Sequence, residues 1–255
     1  MFKILKARFF QKYRTGKFPD APPKLPEHFR GRPVIDSSVN DGELWHRAAE
    51  VCPTDALSEQ SRSIDLGKCI FCGKCSKVNP AVNFTHEYRM GCFFREGLIA
   101  DSRIGTPEEQ LDEGIKALCG KSLHIRQISA GGCAACELDF NVLGTLAWDM
   151  GRFGIKVVAS PRHADALLVT GPVTENMRLA LQKSYDAMGD PKLVIACGAC
   201  AISGGIYQTS SKTANGVEGL LPVDLYVPGC PPHPATLLEA LVRFIGRRQK
   251  ENRVC

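Results

Sequence analysis

The chain has 255 residues, 44% of them hydrophobic and 23% charged, with a formal net charge of +5 at pH 7. That composition can bury the core of one domain plus a smaller module, which excludes a disordered chain, and its modest charge gives no nucleic-acid footprint. No run approaches the roughly 18 consecutive apolar residues of a spanning helix, and the start carries no signal-peptide pattern, so a cytoplasmic location is expected.

Residues 1–36 read as a basic arm. The first 32 residues hold nine Lys or Arg against Asp20 and Glu27, a bias that suits an acidic partner or an anionic lipid surface. Phe2, Leu5, Phe9 and Tyr13 fall at helical spacing opposite Lys3, Lys6 and Lys12, which predicts a short amphipathic helix. Such a helix packs on its own protein, on a neighbouring subunit or on lipid. Pro19, Pro22, Pro23, Pro26 and Pro33 then predict an extended path.

Residues 37–100 are rich in cysteine and poor in long periodic patterns, and a core that small usually needs a metal. Residues 101–121 predict a linker helix, with Thr106 as N-cap, Pro107 at the first helical position and Gly120 as its stop. From residue 122 onward strands alternate with helices. Leu123 to Ile128, Ile155 to Ala159, Ala166 to Thr170, Leu193 to Ala196 and Leu225 to Val227 read as buried strands. Leu138 to Arg152, Thr174 to Met188 and Pro234 to Arg247 read as helices. This alternation predicts an α/β fold, a parallel sheet with helices on both faces.

The 12 cysteines are the compositional outlier, and in a reducing compartment they point to metal rather than disulfides. Cys69, Cys72 and Cys75 repeat at intervals of three, a loop that wraps three corners of an iron-sulfur cube. The run resembles bacterial ferredoxins, in which a fourth Cys followed by Pro ligates the other cluster of a two-cluster fold. Here the fourth position is Asn79, followed by Pro80, while the partner motif survives only as Cys52-Pro53. Counting back from Cys52 places the missing ligands at Gly42, Trp45 and Ala48. Crossed ligation therefore predicts one complete set lost (Gly42, Trp45, Ala48, Asn79) and one intact (Cys52, Cys69, Cys72, Cys75). A zinc site is the alternative, but zinc usually takes two separated pairs of ligands. His28, His46 and His86 read as ordinary surface or packing histidines.

The C-terminal module offers Gly131-Gly132-Cys133-Ala134-Ala135-Cys136-Glu137, then Cys197-Gly198-Ala199-Cys200 with Gly204-Gly205 beyond, then Gly229-Cys230-Pro231-Pro232. Each loop follows a predicted strand, and in a parallel sheet those strand ends share the edge where sites form. Glycines let such loops approach a cluster closely. On spacing alone either Cys197 or Cys200 supplies the third ligand.

The segment from about Leu123 to Arg247 resembles the small subunit of nickel-iron hydrogenases and the related cluster-bearing subunit of respiratory complex I. Cys133-x-x-Cys136-Glu137, Ser160-Pro161-Arg162-His163-Ala164-Asp165, Thr170-Gly171-Pro172, Gly198-Ala199-Cys200 and Val227-Pro228-Gly229-Cys230-Pro231-Pro232 carry the match. Glu137 directly after Cys136 and the Pro-Arg-His-Ala-Asp segment lean toward the membrane-bound hydrogenase branch, in the short group that includes formate hydrogenlyase. The N-terminal hundred residues resemble a ferredoxin-like subunit of the same assemblies, through Phe29-Arg30-Gly31-Arg32-Pro33 and the Cys69 run.

The resemblance implies a flavodoxin-like domain over 122–255 behind a small ferredoxin-like module, and it selects Cys200 over Cys197. The implied cofactors are two 4Fe-4S clusters, held by Cys52, Cys69, Cys72 and Cys75 and by Cys133, Cys136, Cys200 and Cys230. The implied function is electron transfer to or from the nickel-iron site of a partner large subunit, on the cytoplasmic side of the inner membrane beside membrane subunits. A ferredoxin or formate dehydrogenase is the implied redox partner. A complex I-type NADH/quinone oxidoreductase component is the alternative, and a zinc-stabilised interaction subunit without redox activity is another. No catalytic residue is expected in this chain; Glu137 is a candidate for coupling protons to reduction, or else a hydrogen-bonded structural carboxylate. Arg162 and His163 are expected to organise a loop or a subunit contact. Cys197 is left as an extra cysteine, and Cys92, Cys119 and Cys255 are expected to be free thiols.

Overall fold

A computed structural model describes residues 2–12, 15–39, 41–102 and 122–246. The linker helix expected within 101–121 lies outside the described residues, as do Tyr13, Cys119 and Cys255.

Five parallel strands form the central sheet: β6 (Leu123–Ser129), β7 (Ile155–Val157), β8 (Ala166–Thr170), β9 (Leu193–Cys197) and β10 (Leu225–Val227). Their spatial order is β10-β9-β8-β6-β7, the flavodoxin-like order, with its switch point between β6 and β8. The apolar runs of β8 and β9 are buried at every residue because both faces of the sheet are covered.

Alternation divides the sheet between two cores. Leu168, Leu193, Ile195 and Cys197 turn to one face, where α4 (Ala135–Val142) packs through Phe140 and α7 (Pro234–Phe244) through Leu237 and Leu241. Leu167, Val169, Val194 and Ala196 turn to the other, where α5 (Glu175–Asp186) brings Leu181 and α6 (Ala199–Ser203) brings Ala201 and Ile202. The helix expected from Leu138 to Arg152 needs correcting. It starts at Ala135, behind a left-handed Ala134, and ends at Val142; the chain then turns through Gly144 and a left-handed Asp149 (φ 45°) into a 3₁₀ turn, Met150–Phe153.

The N-terminal part runs β1 (Pro33–Ile35), α2 (Gly42–Glu50), β2 (Leu57–Ser58), β3 (Ser63–Asp65), α3 (Lys74–Val78), β4 (Val82–Phe84) and β5 (Ile99–Ala100). β1 pairs with β4 and β2 with β3, both antiparallel, and β5 extends the second pair. β1 lies within the last residues of the expected arm, 33–35. Asp41 caps α2 by accepting from the N–H groups of Glu43 and Leu44. Trp45, Ala48, Ile64, Leu66 and Val82 share one core with Val169, Ala196 and Ile202 of the C-terminal part. The sheet face thus completes a core too small to stand alone. Trp45, 1% exposed, sits at its centre; Trp45→Ala is expected to cost about 3–5 kcal/mol in chemical denaturation, and a loss near zero would place the indole outside the shared core.

α1 (Phe2–Gln11) leaves Phe2, Leu5 and Phe9 between 61% and 89% exposed, so its apolar side chains are not covered by the described residues of its own chain. Past it, the arm is strapped to the C-terminal part. Arg152 donates to the carbonyls of Gly16 (2.9 Å) and Phe18 (2.6 Å), and the buried Phe18 ring meets Phe153 edge-on.

Candidate metal centres

Cys52, Cys69, Cys72 and Cys75 line one pocket together with Pro53, Leu57, Gly73 and Phe84. Asp65, gripped by two bonds from Arg95, opens the loop by accepting from Gly67 N–H and, through its carbonyl, from Cys69 N–H. Phe71 (φ 54°) and Gly73 (φ 71°) then take left-handed conformations, which curl the chain around the pocket and start α3 at Lys74. Two N–H groups point at sulfur: Phe71 N–H to Cys69 Sγ and Ala56 N–H to Cys52 Sγ, each 3.3 Å. Burial above all, with the neighbouring thiols of the set adding to it and N–H bonds from Phe71 and Ser76 opposing it, pushes Cys69 up to about 12 and Cys75 up to about 11. These are thiols crowded in an apolar pocket, a poor place for bare thiolates and a good one for thiolates on a cation.

The four positions expected from spacing to have lost ligands carry no cysteine. Trp45, Ala48 and Asn79 are buried and Gly42 is exposed. Asn79 Oδ1 accepts from Ala81 N–H, which holds the turn into β4. The three histidines weighed as ligands are not gathered at the pocket wall. His46 meets Glu59 and Glu50, and His86 meets the Glu27 carbonyl.

The second group forms at the C-terminal edge of the parallel sheet. Cys133 and Cys136 follow β6, Cys200 sits in α6 just past β9, and Cys230 follows β10. Burial first, then the charges of Cys230, Cys136 and Cys133, together push Cys200 up to about 12, so the four thiols are electrostatic neighbours. Cys230 is raised by burial and then by Cys136 and Cys133. Glycines make the convergence possible. A Cβ on Gly198 would stand 2.6 Å from Cys136 Sγ, and Gly198 has φ +88°. Gly132 meets Gly171 across the switch point, where a Cβ on Gly171 would come within 2.5 Å of Gly132 N.

The structure thus brings each expected set of four together and separates Cys197 from Cys200. Cys197 is wholly buried on the α4 side of the sheet, and the neighbouring Cys136 thiol together with burial raises it well above the ordinary thiol range. Glu137 accepts a 2.6 Å hydrogen bond from Thr170 Oγ1, the contact of a carboxylate anchored to a strand end. Sequence reading did not identify Thr170 as its partner. Arg162 and His163 lie at the opposite edge, in a groove with Asp165 and Asp190, away from both groups of thiols. Among the described residues no three His, Cys, Asp or Glu side chains are arranged as ligands of one metal ion.

The two groups are tied to each other. Ser203 Oγ, one turn from Cys200, donates to the Gly67 carbonyl (2.9 Å), two residues before Cys69. Gln208 donates to Asp55, three residues after Cys52. Cys92 forms an antiparallel bridge to Tyr226, covering the edge strand β10.

Residues 133–244 match the model of the family described as NADH ubiquinone oxidoreductase, 20 Kd subunit. A relative described as the probable membrane-bound hydrogenase subunit mbhJ of Pyrococcus furiosus is 40% identical over 148 residues, 57% of this chain and 89% of that protein. The chain belongs to this 20 Kd subunit family. Formate hydrogenlyase subunit 7 of Escherichia coli is 39% identical over 149 residues, 58% of this chain and 57% of the relative. An NADH-quinone oxidoreductase subunit of Phocaeicola vulgatus is 44% identical over 130 residues, 47% of this chain and 66% of the relative. The chain therefore spans less than two thirds of these last two. Family membership rests on the segment that holds the second group of thiols and the parallel sheet.

Proposed function

We propose that the chain is an electron-transfer subunit with two 4Fe-4S clusters, passing electrons to or from the nickel-iron site of a partner large subunit in a membrane-associated hydrogenase complex. The observation that carries this reading is the gathering of two separate sets of four thiols, one around the Cys52 to Cys75 pocket and one at the sheet edge. The residues fit the group: four sulfurs per set, N–H donors aimed at Cys69 and Cys52, and glycine backbone against Cys136.

Bound there, each cluster would supply a one-electron site. Cys52, Cys69, Cys72 and Cys75 would hold the first; Cys133, Cys136, Cys200 and Cys230 would hold the second. The N–H groups of Phe71 and Ala56 favour negative charge on their sulfurs, and the half-buried Leu57 and Phe84 line the pocket with apolar surface. Glu137, bonded to Thr170, orients the start of α4.

The N-terminal part is read as a ferredoxin-like module that has kept one cluster of two. Its β-α-β-β-α-β order supports this, as do the buried Trp45, Ala48 and Asn79 at the missing ligand positions. The proposed organisation is an arm over 1–36, that module over 37–100, a linker over 101–121 and the family domain over 122–255. No helix among the described residues is long and apolar enough to cross a membrane. The exposed apolar and basic α1 favours attachment from the cytoplasmic side through membrane subunits or at their lipid surface, with a ferredoxin or formate dehydrogenase as redox partner.

A complex I-type assembly is the second reading, favoured by the likeness to the Phocaeicola vulgatus NADH-quinone oxidoreductase subunit. The sequence of the large subunit that co-purifies with this chain separates the two, since nickel binding needs two Cys-x-x-Cys pairs there. For the chain itself, anaerobic purification is expected to give about eight iron and eight sulfide. About twelve iron would contradict the loss of a cluster, and zinc without sulfide would end the redox reading.

A further inference from the structure

Among the described residues the most exposed large apolar side chains gather on α1. Phe2, Ile4, Leu5, Phe9 and Phe10 are each at least 61% exposed, and elsewhere only Leu138, Leu146 and Leu179 match them. Every residue from Phe2 to Phe10 is exposed, so no side of the helix is buried by the described residues. A helix of 10 residues is too short to be stable in water without a surface to pack on. Its charge is of one sign as well: Lys3, Lys6, Arg8, Lys12, Arg14 and Lys17 all precede the first acidic residue, Asp20. Just past α1 the chain is fixed again. Gly16 N–H donates to the Ala147 carbonyl (2.7 Å), and Arg152 grips the carbonyls of Gly16 and Phe18.

We infer that α1 is a membrane-surface helix that lies in the headgroup region of an anionic bilayer, its phenylalanines at the acyl boundary and its lysines at the phosphates. This rests on the membrane-associated reading and not on the clusters. Two observations choose lipid over a groove on a membrane subunit. A groove takes one apolar stripe of a helix; here Phe2, Leu5 and Phe9 share a face, but Ile4 and Phe10 carry apolar surface round to either flank, with basic residues between them. A bilayer surface accommodates that interleaving, because long basic side chains bury their stems and lift their charges to the headgroups. The run of basic residues without an acid likewise meets negative charge along its whole length only on an anionic surface. At about 15 Å long, α1 is half the thickness of a bilayer core, so it lies on the membrane rather than spanning it.

The test uses the full chain, purified anaerobically, with vesicles of phosphatidylcholine alone or mixed with phosphatidylglycerol. Flotation and far-ultraviolet circular dichroism are the readouts. Wild type is expected to float with the mixed vesicles, to stay behind with phosphatidylcholine alone, to gain helical signal on binding and to be released as salt rises. Phe9→Glu is expected to weaken binding by about tenfold or more, and Lys3→Gln and Lys6→Gln by about fivefold each. Leu179→Glu, which alters a similarly exposed leucine on α5, is expected to bind as wild type does. Equal binding to both kinds of vesicle, or binding that Phe9→Glu leaves unchanged, would overturn the inference. A wild-type chain that binds neither would overturn it too; if that chain still sediments with the membranes of its cells, a protein groove holds α1 and the membrane-associated reading stands. Absence of wild type from those membranes would instead remove that reading, and this inference with it.

Discussion

A Gly198→Ala chain is expected to lose the proposed C-terminal cluster and keep the proposed N-terminal one, so that iron falls from about eight to about four per chain. The added methyl group would stand 2.6 Å from Cys136 Sγ, with the Gly229 carbonyl at 3.5 Å and Pro232 Cδ at 3.6 Å on its other sides. The backbone cannot rotate away cheaply, because φ of +88° is a conformation that side-chain-bearing residues avoid. Cys136 is therefore the group that yields, and a displaced sulfur leaves one corner of the cube unbound. Gly189 is the control. It is exposed, with nothing within 4 Å of a Cβ built on it, and Gly189→Ala should retain both clusters. Iron analysis and the low-temperature paramagnetic spectrum check both variants. Retention of both signals in Gly198→Ala would mean that Cys136 is not a ligand.

Cys72→Ser is expected to do the converse, removing the N-terminal cluster's signal and about half the iron while leaving the other cluster intact. A serine hydroxyl at that rim is a far weaker ligand than a thiolate, and the three remaining thiols include the buried Cys69 and Cys75, whose ionisation burial already opposes. The sequence alone predicts that a small cysteine-rich segment will unfold without its metal. The structure predicts otherwise. Trp45, Ile64 and Leu66 belong to a core shared with Val169, Ala196 and Ile202, so the variant is expected to keep its far-ultraviolet circular dichroism. Collapse of that spectrum on loss of one cluster would show that the metal, rather than the shared core, holds the N-terminal part.

Much of the sheet was legible because it depends on local patterns. Ala166-Leu167-Leu168-Val169-Thr170 and Leu193-Val194-Ile195-Ala196 are unbroken apolar runs, and such runs belong in a sheet covered on both faces. The end of α4 was less legible, since Leu143 to Met150 continues the apolar rhythm and only Gly144 and Asp149 mark the turn. The pairing of Pro33–Ile35 with Val82–Phe84 had no local signal, as short antiparallel partners far apart in sequence are chosen by tertiary contacts. Counting backward from Cys52 marked Gly42, Trp45 and Ala48 as the expected lost ligand positions beside Asn79, and three of these four residues are buried. Spacing could not separate Cys197 from Cys200. Alternation at a strand end did, by sending Cys197 into the core and leaving Cys200 half-exposed in the helix beyond. The partner of Glu137 was beyond reach for the same reason, because Thr170 meets it only once β6 and β8 lie side by side.

The bonds from Ser203 to Gly67 and from Gln208 to Asp55 pin both cysteine-bearing stretches of the N-terminal part to the segment that begins at Cys200. Two separate proteins hand over an electron only while they are docked, at a rate that follows their concentrations and the ionic strength. For the proposed carrier, the internal hand-over is a first-order event at one preset separation, indifferent to dilution and to salt. Any salt or concentration dependence measured for the whole complex then belongs to its outer encounters, with the partner that delivers or receives the electron.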